Sequence, residues 1–578
     1  MLHRRAATAL ALAAGVMLAG ACASHPPRPW EYEPRPMADT LAIHEPEAYE
    51  ASLIYTQVYG FFQGLQRVSN VNRHLAGLPP ALNADAFDEV VNSSWFTNRN
   101  AYEPLTPEEV ERGPQSDVGL DQSGPVTVTS IKTIGVSKGF NVEDARGERY
   151  IVKLDPPDYP ELASGAEMVA TSLFWAAGYH TPENYVVYLD PENLVIEEGL
   201  EAKFPVGDSL ITFVAEGQEG EHELTLDVFR EHLLGEQPRY GDGTVRVMAS
   251  KLLDGISKGP FSYQGTREDD PNDVIPHEHR RELRGLYPVA AWLNHVDTKS
   301  GNTLDMFIVD PSSPEGEDAP KIGHIRHHLI DFGSTLGSAA TRPHDPRHGT
   351  EFEFDARALM LRLATLGIYE RPWQDMDMTP DVPPSIGYYS IDNYFPGDWR
   401  PGILNPAFVN MQPRDAYWGA KLVMSFTDEQ LEAAVRAGRY TDPAAEAYLL
   451  ENLEKRRDAT GRHWFRQVSP LDRPRVEDGA VVFDDLWARH FGGSTVYEWE
   501  LEWDAPDPDV EGEGTAREPR IALPAPTRPV PDADPDDAHA RLEVRKIFPD
   551  GEEAPRPATI WLAWEEASRS YRVVGVRY

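Results

Sequence analysis

A polar loop and a carboxylate further along the chain supply residue types that phosphoryl transfer requires. The loop holds Asp297, Lys299 and Asn302 ahead of a short apolar run, and Asp331 follows a second apolar run. Transfer of a phosphoryl group needs a carboxylate near the acceptor hydroxyl, a cation on the phosphates and ligands for a metal ion. Carboxylate and amide oxygens are hard ligands that suit Mg²⁺. The same residues would also fit a polar turn between a helix and a strand.

Periodicity predicts the elements that position these residues. The segment "RYIVKL" is a predicted strand that contains Lys153, and a helix follows over Leu162–Ala177, closed by Gly178. The polar loop comes after another predicted helix and before the strand "TLDMFIV". A Pro- and acid-rich turn then leads into the strand "HIRHHLIDFG", which contains Asp331. A strand–turn–strand hairpin therefore separates the loop from this carboxylate.

This order of motifs resembles the protein-kinase-like superfamily. "HVDTKSGN" matches the catalytic loop His-x-Asp-x-Lys-x-x-Asn, "LIDFGS" matches the metal-binding Asp-Phe-Gly, and "RYIVKL" is similar to the strand with the phosphate-pairing lysine. The resemblance implies that Asp297 orients or deprotonates the acceptor and that Lys299 neutralises the moving phosphoryl group. It also implies that Asn302 and Asp331 hold Mg²⁺, and that Lys153 pairs with ATP phosphates and with an acidic residue on the next helix.

Two residues compete for the role of that acidic partner. Glu167 on the following helix is the expected partner of Lys153, and Glu161 is the substitute. The sequence Ser-Gly-Ala-Glu that starts at Ser164 is also consistent with a capping box, in which Glu167 would bond back to the start of the helix.

The loop that would cover the phosphates departs from the Gly-rich pattern of ordinary kinases. The segment "IGVSKGF" has only two glycines, and Ser137, Lys138 and Gly139 are the candidate nucleotide contacts, since backbone amides freed by glycine can still cradle phosphate. This departure indicates an atypical kinase-like family, as in bacterial toxin-type, spore-coat or secretory-pathway kinases. By order along the chain, Ser250–Leu253 is either the adenine hinge or part of an ordinary core strand.

The resemblance covers about residues 125–355, with a looser helical continuation to about 470, and implies an α+β, two-lobe protein-kinase-like fold. The predicted divisions are a signal peptide (1–22), a tether and helical N-terminal region (23–120), an N-lobe (125–250), a helical C-lobe (251–470) and a small C-terminal β unit (475–578). The β unit includes strand-like segments such as "RIALP" and a Pro- and Asp-rich insertion at 504–537 that is predicted to be disordered.

The N-terminus predicts export. Two arginines precede an apolar stretch that ends at Cys22, the only cysteine of the chain. "LAGAC" resembles the bacterial lipoprotein box, in which the cysteine is lipidated; the alternative is cleavage after the Ala-Gly-Ala before Cys22. A lone cysteine in an exported chain has no disulfide partner, which favours lipidation. The prediction is a membrane-anchored lipoprotein in the periplasm or on the outer membrane.

Charge limits the partners of the protein. The chain has 54 Lys and Arg against 94 Asp and Glu, a formal net charge of −40, which disfavours nucleic-acid binding. The leading hypothesis is a Mg²⁺- and ATP-dependent phosphotransferase that acts on a protein or a small hydroxyl compound. Because the cell envelope holds little ATP, an inactive kinase-like binding or scaffold lipoprotein is the second hypothesis, and an AMP transferase is the third.

Other polar residues carry weaker predictions. Asp269, Asp270 and Asp273 are consistent with a cation site, but such a run is more typical of a solvated loop that starts a helix. Thr335 and Ser338, in the segment equivalent to a kinase activation segment, are candidate modification sites.

Overall fold

The structure, a computed structural model, describes residues 39–49, 78–116, 118–132, 137–206, 209–216, 222–314, 316, 319–353, 355–371, 373–504, 511–525 and 539–578. The predicted signal peptide with Cys22, the tether that follows it and most of the predicted N-terminal helical segment lie outside the described residues. Residues 133–136 of the predicted phosphate-covering loop also lie outside them.

Strands and helices occur throughout the described residues. The strands are β1 (Ile43–His44), β2 (Val126–Ile131), β3 (Gly139–Glu143), β4 (Arg149–Lys153), β5 (Asn184–Leu189), β6 (Leu194–Ile196), β7 (Glu201–Val206), β8 (Ser209–Val214), β9 (His222–Glu223), β10 (Val245–Lys251), β11 (Ile256–Ser257), β12 (Thr303–Val309), β13 (Ile322–Leu329), β14 (Leu471–Glu477), β15 (Ala480–Asp485), β16 (Val496–Asp504), β17 (Gly512–Ala516), β18 (Arg520–Ala522), β19 (His539–Ile547), β20 (Ala558–Glu565) and β21 (Ser570–Arg577). The helices are α1 (Pro107–Arg112), α2 (Leu162–Ala177), α3 (Leu226–Phe229), α4 (Arg281–Trp292), α5 (Ala356–Ala364), α6 (Pro406–Asn410), α7 (Pro413–Met424), α8 (Asp428–Ala437), α9 (Pro443–Trp464) and α10 (Leu486–Phe491).

A six-stranded sheet with the order β5-β10-β4-β3-β2-β6 carries Lys153 at the end of β4. Neighbouring strands are antiparallel, apart from β6, which pairs with β2 in parallel. Alternating side chains such as Val126, Val128, Val142 and Val152 are fully buried and form the core of this sheet. Helix α2 has the predicted bounds and packs beside β5, so its buried face lies against the sheet.

A smaller sheet with the order β1-β13-β12-β11 follows along the chain. The predicted hairpin is confirmed: β12 and β13 are antiparallel, with Thr303 opposite Leu329 and Val309 opposite Gly323. The segment proposed as a hinge is divided between the end of β10 and the link to β11, where the amide of Leu252 donates to the carbonyl oxygen of Arg149.

Helix α4 is the central helix of the region after the six-stranded sheet, and all twelve of its residues are buried. It packs against α7, a helix that the sequence analysis did not predict. A Cβ atom on Gly419 would lie 2.2 Å from the carbonyl oxygen of Gly285, so glycine is required where these helices cross. The buried charge of Arg281 is paired, because its Nε lies 2.8 Å from Asp415 Oδ1.

The C-terminal strands form a three-stranded sheet, β14-β15-β18, and a five-stranded sheet, β17-β16-β19-β20-β21. The prediction of disorder over 504–537 is wrong for β17 (Gly512–Ala516), whereas the strand predicted at "RIALP" is present as β18 (Arg520–Ala522). Strand β17 is held by backbone hydrogen bonds to β16, and Ile521 of β18 is buried. Backbone hydrogen bonds between strands do not depend on side-chain charge, so the polar composition of this segment did not indicate its strands. No helix in the described part of the chain is long and apolar enough to cross a membrane.

Candidate functional site

The side chain of Lys153, at the end of β4, contacts residues of helix α2 and of the segment after β13. Its Nζ atom donates to both carboxylate oxygens of Glu167 on α2, at 2.8 and 3.0 Å. The same atom donates to Oδ1 of Asp331, just after β13, at 2.9 Å. The Glu167 side chain is only 3% exposed, whereas that of Asp331 is 45% exposed. Glu167 therefore holds the lysine from the protein interior, and Asp331 is the carboxylate on the solvent side.

The charges of these three residues support one another. Coulombic attraction to Lys153 lowers the pKa of Asp331 to about 2. Burial raises the pKa of Glu167, and Lys153 opposes that effect. Burial alone would lower the pKa of Lys153, but Asp331 and Glu167 raise it above its ordinary value. At neutral pH a fixed ammonium group and an ionised, partly exposed carboxylate therefore lie side by side.

The β12–β13 hairpin explains why Asn302 and Asp331 are neighbours. Thr303 is paired with Leu329, so the residues just outside the hairpin also face each other. The amide of Ile330 donates to the carbonyl oxygen of Asn302 at 3.0 Å. The open end of the hairpin thus brings the predicted metal ligands together from two distant parts of the sequence.

Asp331 turns the chain out of the hairpin and into the interior. Its φ of 62° is in the left-handed region, which aspartate tolerates better than most residues. Phe332 is fully buried and stacks on Phe174 of α2, with 4.8 Å between the ring centroids. The amide of Leu336 then bonds to the carbonyl oxygen of Leu293, just after α4. This packing holds the Asp331 carboxylate against Lys153.

The predicted catalytic loop is organised around the carboxylate of Asp297. Lys299 Nζ lies 2.9 Å from both of its oxygens. The side-chain amide of Asn302 donates to the backbone oxygen of Asp297 at 2.9 Å and to its Oδ2 at 3.0 Å. The Asp297 and Lys299 side chains are 29% and 27% exposed, and Asn302 is buried. The carboxylate is therefore fixed in position and still open to solvent.

His295 connects this loop with the segment after Asp331. Its ring packs against Phe174 and Phe332, with centroid distances of 5.5 and 5.6 Å. Burial lowers the pKa of His295 to about 4, while the charge of Asp297 opposes that shift. At neutral pH the ring is uncharged, so His295 is a packing residue that positions both loops.

The structure separates the three candidate residues of the phosphate-covering loop. Gly139 begins β3 and lies directly opposite Lys153 on β4. Ser137 accepts hydrogen bonds within its own loop through its hydroxyl and its carbonyl oxygen. The Lys138 side chain is 55% exposed and its Nζ lies 3.6 Å from an oxygen of Glu236. Of the three, Gly139 is the residue paired directly with Lys153.

Lys132, which follows β2, is a residue of this region that was not predicted from the sequence. Its Nζ donates to the Ser137 hydroxyl at 3.1 Å, and its pKa is lowered by burial and by the charge of Lys153. Asp331 and Glu167 act in the opposite direction, which places all four charged groups in one electrostatic cluster. Counting residues across the β2–β3 hairpin would have found Lys132, but that count requires the strand register.

The capping-box interpretation of Glu167 is wrong. Helix α2 begins at Leu162 with Glu161 at its cap, and the amide and hydroxyl of Ser164 both bond to Asp155, at 2.8 and 2.6 Å. The carboxylate of Glu161 instead accepts from the amide and hydroxyl of Thr441. Glu167, the only one of the two candidates that contacts Lys153, is therefore free of any capping role.

Two further expectations fail because the residues are buried. Thr335 and Ser338 are fully buried, and the Thr335 hydroxyl donates to the carbonyl oxygen of Phe332 at 2.7 Å, so neither side chain is accessible for modification in this conformation. Asp270 and Asp273 are also buried, and Oδ2 of Asp273 lies 2.6 Å from a ring nitrogen of His277. Asp269 is exposed, so this segment is a solvated loop only in part.

The donor set near Asp331 fits a hard divalent cation. An ionised carboxylate and the side-chain amide of Asn302 lie at the same end of the hairpin, and both offer oxygen. The amide nitrogen of Asn302 is directed to Asp297, which leaves the amide oxygen as its ligand atom. The described residues, this site included, contain no group of three or more His, Cys, Asp or Glu placed to hold a metal ion, so the candidate ligands here are one carboxylate and one amide oxygen.

The similarity of this chain to known proteins is weak. No protein-family model and no curated protein matches the chain. Among solved structures, the crystal structure of a Helicobacter pylori proinflammatory kinase, CtkA, is similar with a TM-score of 0.27 and 11% identity, over 60% of this chain and 98% of that chain. A TM-score this low does not establish a shared fold. The architecture is mixed α and β.

Proposed function

We propose that the chain is a Mg²⁺- and ATP-dependent phosphotransferase with a two-lobe, protein-kinase-like fold, and that its acceptor is a protein or a small hydroxyl compound. The observation that carries the proposal is the contact of Lys153 with both Glu167 and Asp331 at 2.8–3.0 Å. A strand, a helix and a hairpin end supply these side chains from separate parts of the sequence. The loop that contains Asp297 ends beside them, because the carbonyl oxygen of Asn302 accepts a hydrogen bond from the amide of Ile330, next to Asp331.

Each residue of the site has a distinct task in this proposal. Lys153, held by Glu167, binds phosphate oxygens of the nucleotide, and Asp331 and Asn302 are the ligands of Mg²⁺. The metal ion, when bound, neutralises negative charge on the phosphates. Asp297 lies close to the acceptor hydroxyl, orients it and takes its proton.

Lys299 is the second cation of the transfer step. It lies beside Asp297 and is partly exposed, so its ammonium group can reach a phosphoryl group that moves toward the acceptor. The local cations also counter the net charge of −40, which would otherwise repel a nucleotide.

Thermal unfolding in the presence of Mg²⁺ and ATP tests the proposal. Wild type should be stabilised in proportion to ATP concentration, and Asp331→Ala should lose that stabilisation. Asp310→Ala, which removes a carboxylate at the opposite end of the same hairpin, is the matched control and should respond like wild type. A wild type that ATP does not stabilise would refute both nucleotide-dependent functions and favour the inactive scaffold.

The position of the label distinguishes the two nucleotide-dependent functions. With ATP labelled at the γ-phosphate, a phosphotransferase labels its acceptor; with ATP labelled at the α-phosphate, only an AMP transferase does. We expect label from the γ-position alone, because the motifs around Asp297 and Asp331 resemble those of protein kinases, which transfer the γ-phosphoryl group.

The cellular location is a separate proposal: Cys22 carries a lipid that anchors the protein to a membrane, in the periplasm or on the outer membrane. Mass spectrometry of the N-terminal peptide should find a diacylglyceryl modification on Cys22, and Cys22→Ser should release the protein from membranes. A mature N-terminus that begins at Cys22 and carries no lipid, as cleavage after Ala-Gly-Ala would leave it, would contradict this proposal.

A further inference from the structure

A second lysine faces the same side of the six-stranded sheet as Lys153. The amide of Lys132 donates to the carbonyl oxygen of Gly139 at 3.0 Å, which continues the β2–β3 register of Ile131 opposite Phe140. Gly139 is itself paired with Lys153 on β4. Residues directly opposite on neighbouring strands point to the same face. With strands about 4.8 Å apart, the two lysine backbones are about 10 Å apart.

Gly139 leaves the position between the two lysines without a side chain. A Cβ atom there would lie 2.3 Å from the carbonyl oxygen of Val152 and 3.4 Å from Cδ of Lys132. Any other residue would collide with the neighbouring strand and crowd the lysine stem. Two ammonium groups therefore flank a strip of bare backbone, which is the shape and charge that an extended polyphosphate requires.

The ammonium group of Lys132 forms no direct ion pair with a carboxylate in the described residues, which leaves its charge able to bind an anion. Its Nζ donates to the hydroxyl and the carbonyl oxygen of Ser137, at 3.1 and 3.3 Å, and both acceptors are uncharged. The carboxylates of Glu167 and Asp331 influence it from a distance, while Lys153 is the group that contacts them directly. Lys138, by contrast, is largely exposed and lies near Glu236.

We propose that Lys132 and Lys153 together bind the phosphates of the nucleotide, and that Lys132 replaces contacts which a Gly-rich loop supplies in ordinary kinases. The inference rests on the proposed function, since it names a second phosphate-binding residue of the same site. It also reassigns the loop cation, because the sequence pointed to Lys138 and the geometry points to Lys132.

Binding measurements on the full chain test this assignment. Lys132→Met should weaken Mg²⁺–ATP binding about tenfold or more, the size expected for loss of one charge-assisted hydrogen bond. Binding of adenosine, which has no phosphate, should not change. Lys132→Arg keeps the charge and should restore most of the affinity. Lys455→Met removes an equal charge from an exposed position on α9 and should bind ATP like wild type.

If Lys132 only fixes the conformation of the loop and does not bind phosphate, a different result is expected. Ser137→Ala removes the hydroxyl that Lys132 contacts, so a pinning role would weaken ATP binding in both variants to the same extent, and adenosine binding with it. We expect Ser137→Ala to change ATP affinity by about twofold or less. Equal losses in the two variants would overturn the proposal.

The remaining outcomes separate this inference from the proposed function. If Lys153→Met or Lys138→Met weakens ATP binding and Lys132→Met does not, the inference is wrong and the function stands. If wild type fails to bind ATP, the function is wrong, and inorganic tripolyphosphate then tests the lysine pair alone. Binding of tripolyphosphate to wild type and its loss in Lys132→Met would support the pair, and its absence in wild type would refute it.

Discussion

The Nζ atom of Lys153 lies 2.9 Å from Oδ1 of Asp331, although 178 residues separate them in the chain. The same ammonium group contacts both oxygens of the buried Glu167. Because one carboxylate is buried and the other is partly exposed, removing the lysine has two separable effects. One is on the stability of the fold, and the other is on ligand binding.

Lys153→Met should lower the free energy of unfolding by about 3 kcal/mol, because it leaves the Glu167 carboxylate buried without its partner. The double variant Lys153→Met with Glu167→Gln should recover part of that loss, with a coupling energy of about 1 kcal/mol or more. Urea unfolding of the four proteins measures the coupling. Strictly additive losses would show that the two side chains do not stabilise each other.

Asp297→Asn should reduce phosphoryl transfer by about a hundredfold to ten-thousandfold, the range found for loss of a general base. The amide keeps the size of the side chain and one oxygen for Asn302, so nucleotide affinity should remain within about twofold. Single-turnover transfer and equilibrium binding of ATP are the two measurements. A variant that transfers at the wild-type rate would remove Asp297 from the catalytic role.

Asp331 should contribute to stability at neutral pH and lose that contribution in acid. Its pKa in the folded protein is about 2, below the ordinary value of 3.8, so the favourable effect is complete above about pH 4 and disappears as the pH falls toward 2. Since 45% of the side chain is exposed, solvent screens the pair, and the contribution is about 1 kcal/mol or less. Wild type and Asp331→Asn should therefore differ in denaturant midpoint at pH 7 and converge near pH 2.

His295 should make the protein less stable in mild acid. Its pKa of about 4 in the folded protein is below the ordinary value of 6.5. As the pH falls, the unfolded chain therefore binds a proton at this histidine before the folded protein does, and the free energy of unfolding decreases between pH 6.5 and about 4. His295→Gln should flatten this part of the stability profile. His222→Gln, at an exposed histidine, is the control and should keep the wild-type slope. An unchanged slope in His295→Gln would contradict the assignment.

Gly139→Ala should destabilise the six-stranded sheet, since the added Cβ would lie 2.3 Å from the carbonyl oxygen of Val152. Strand separation relieves the contact only by breaking the hydrogen bonds that align Gly139 with Lys153, so ATP affinity should fall as well. Gly241→Ala, in the loop before β10 with open space around its Cβ position, should unfold like wild type. Thermal unfolding and ATP binding of the two variants provide the comparison.

Local elements of the site could be predicted from the sequence. Strand β12 and helix α2 have the predicted bounds, because alternation and helical periodicity depend on residues within a few positions of each other. The candidate residues Asp297, Asn302 and Asp331 were named from the resemblance of their two motifs to those of protein kinases, and each motif is short enough to be read from the sequence.

Contacts between distant segments depended on the tertiary structure. The choice of Glu167 over Glu161 depends on how α2 lies against β4, and the place of Lys132 depends on the register across three strands. Thr335 and Asp273 have sequence surroundings typical of exposed loops, yet both are buried by segments far away in the chain.

The sequence by itself determined which residue types stand at the ends of which local elements, since short-range periodicity and motif spacing are properties of the chain alone. Only the tertiary structure decided which charges meet, because ion pairing and burial depend on distances in space between segments that the sequence order does not relate. Lys153 illustrates both statements. The five residues of its strand could be predicted from the local sequence, whereas its partners on α2 and at the end of the β12–β13 hairpin could be identified only from the tertiary structure.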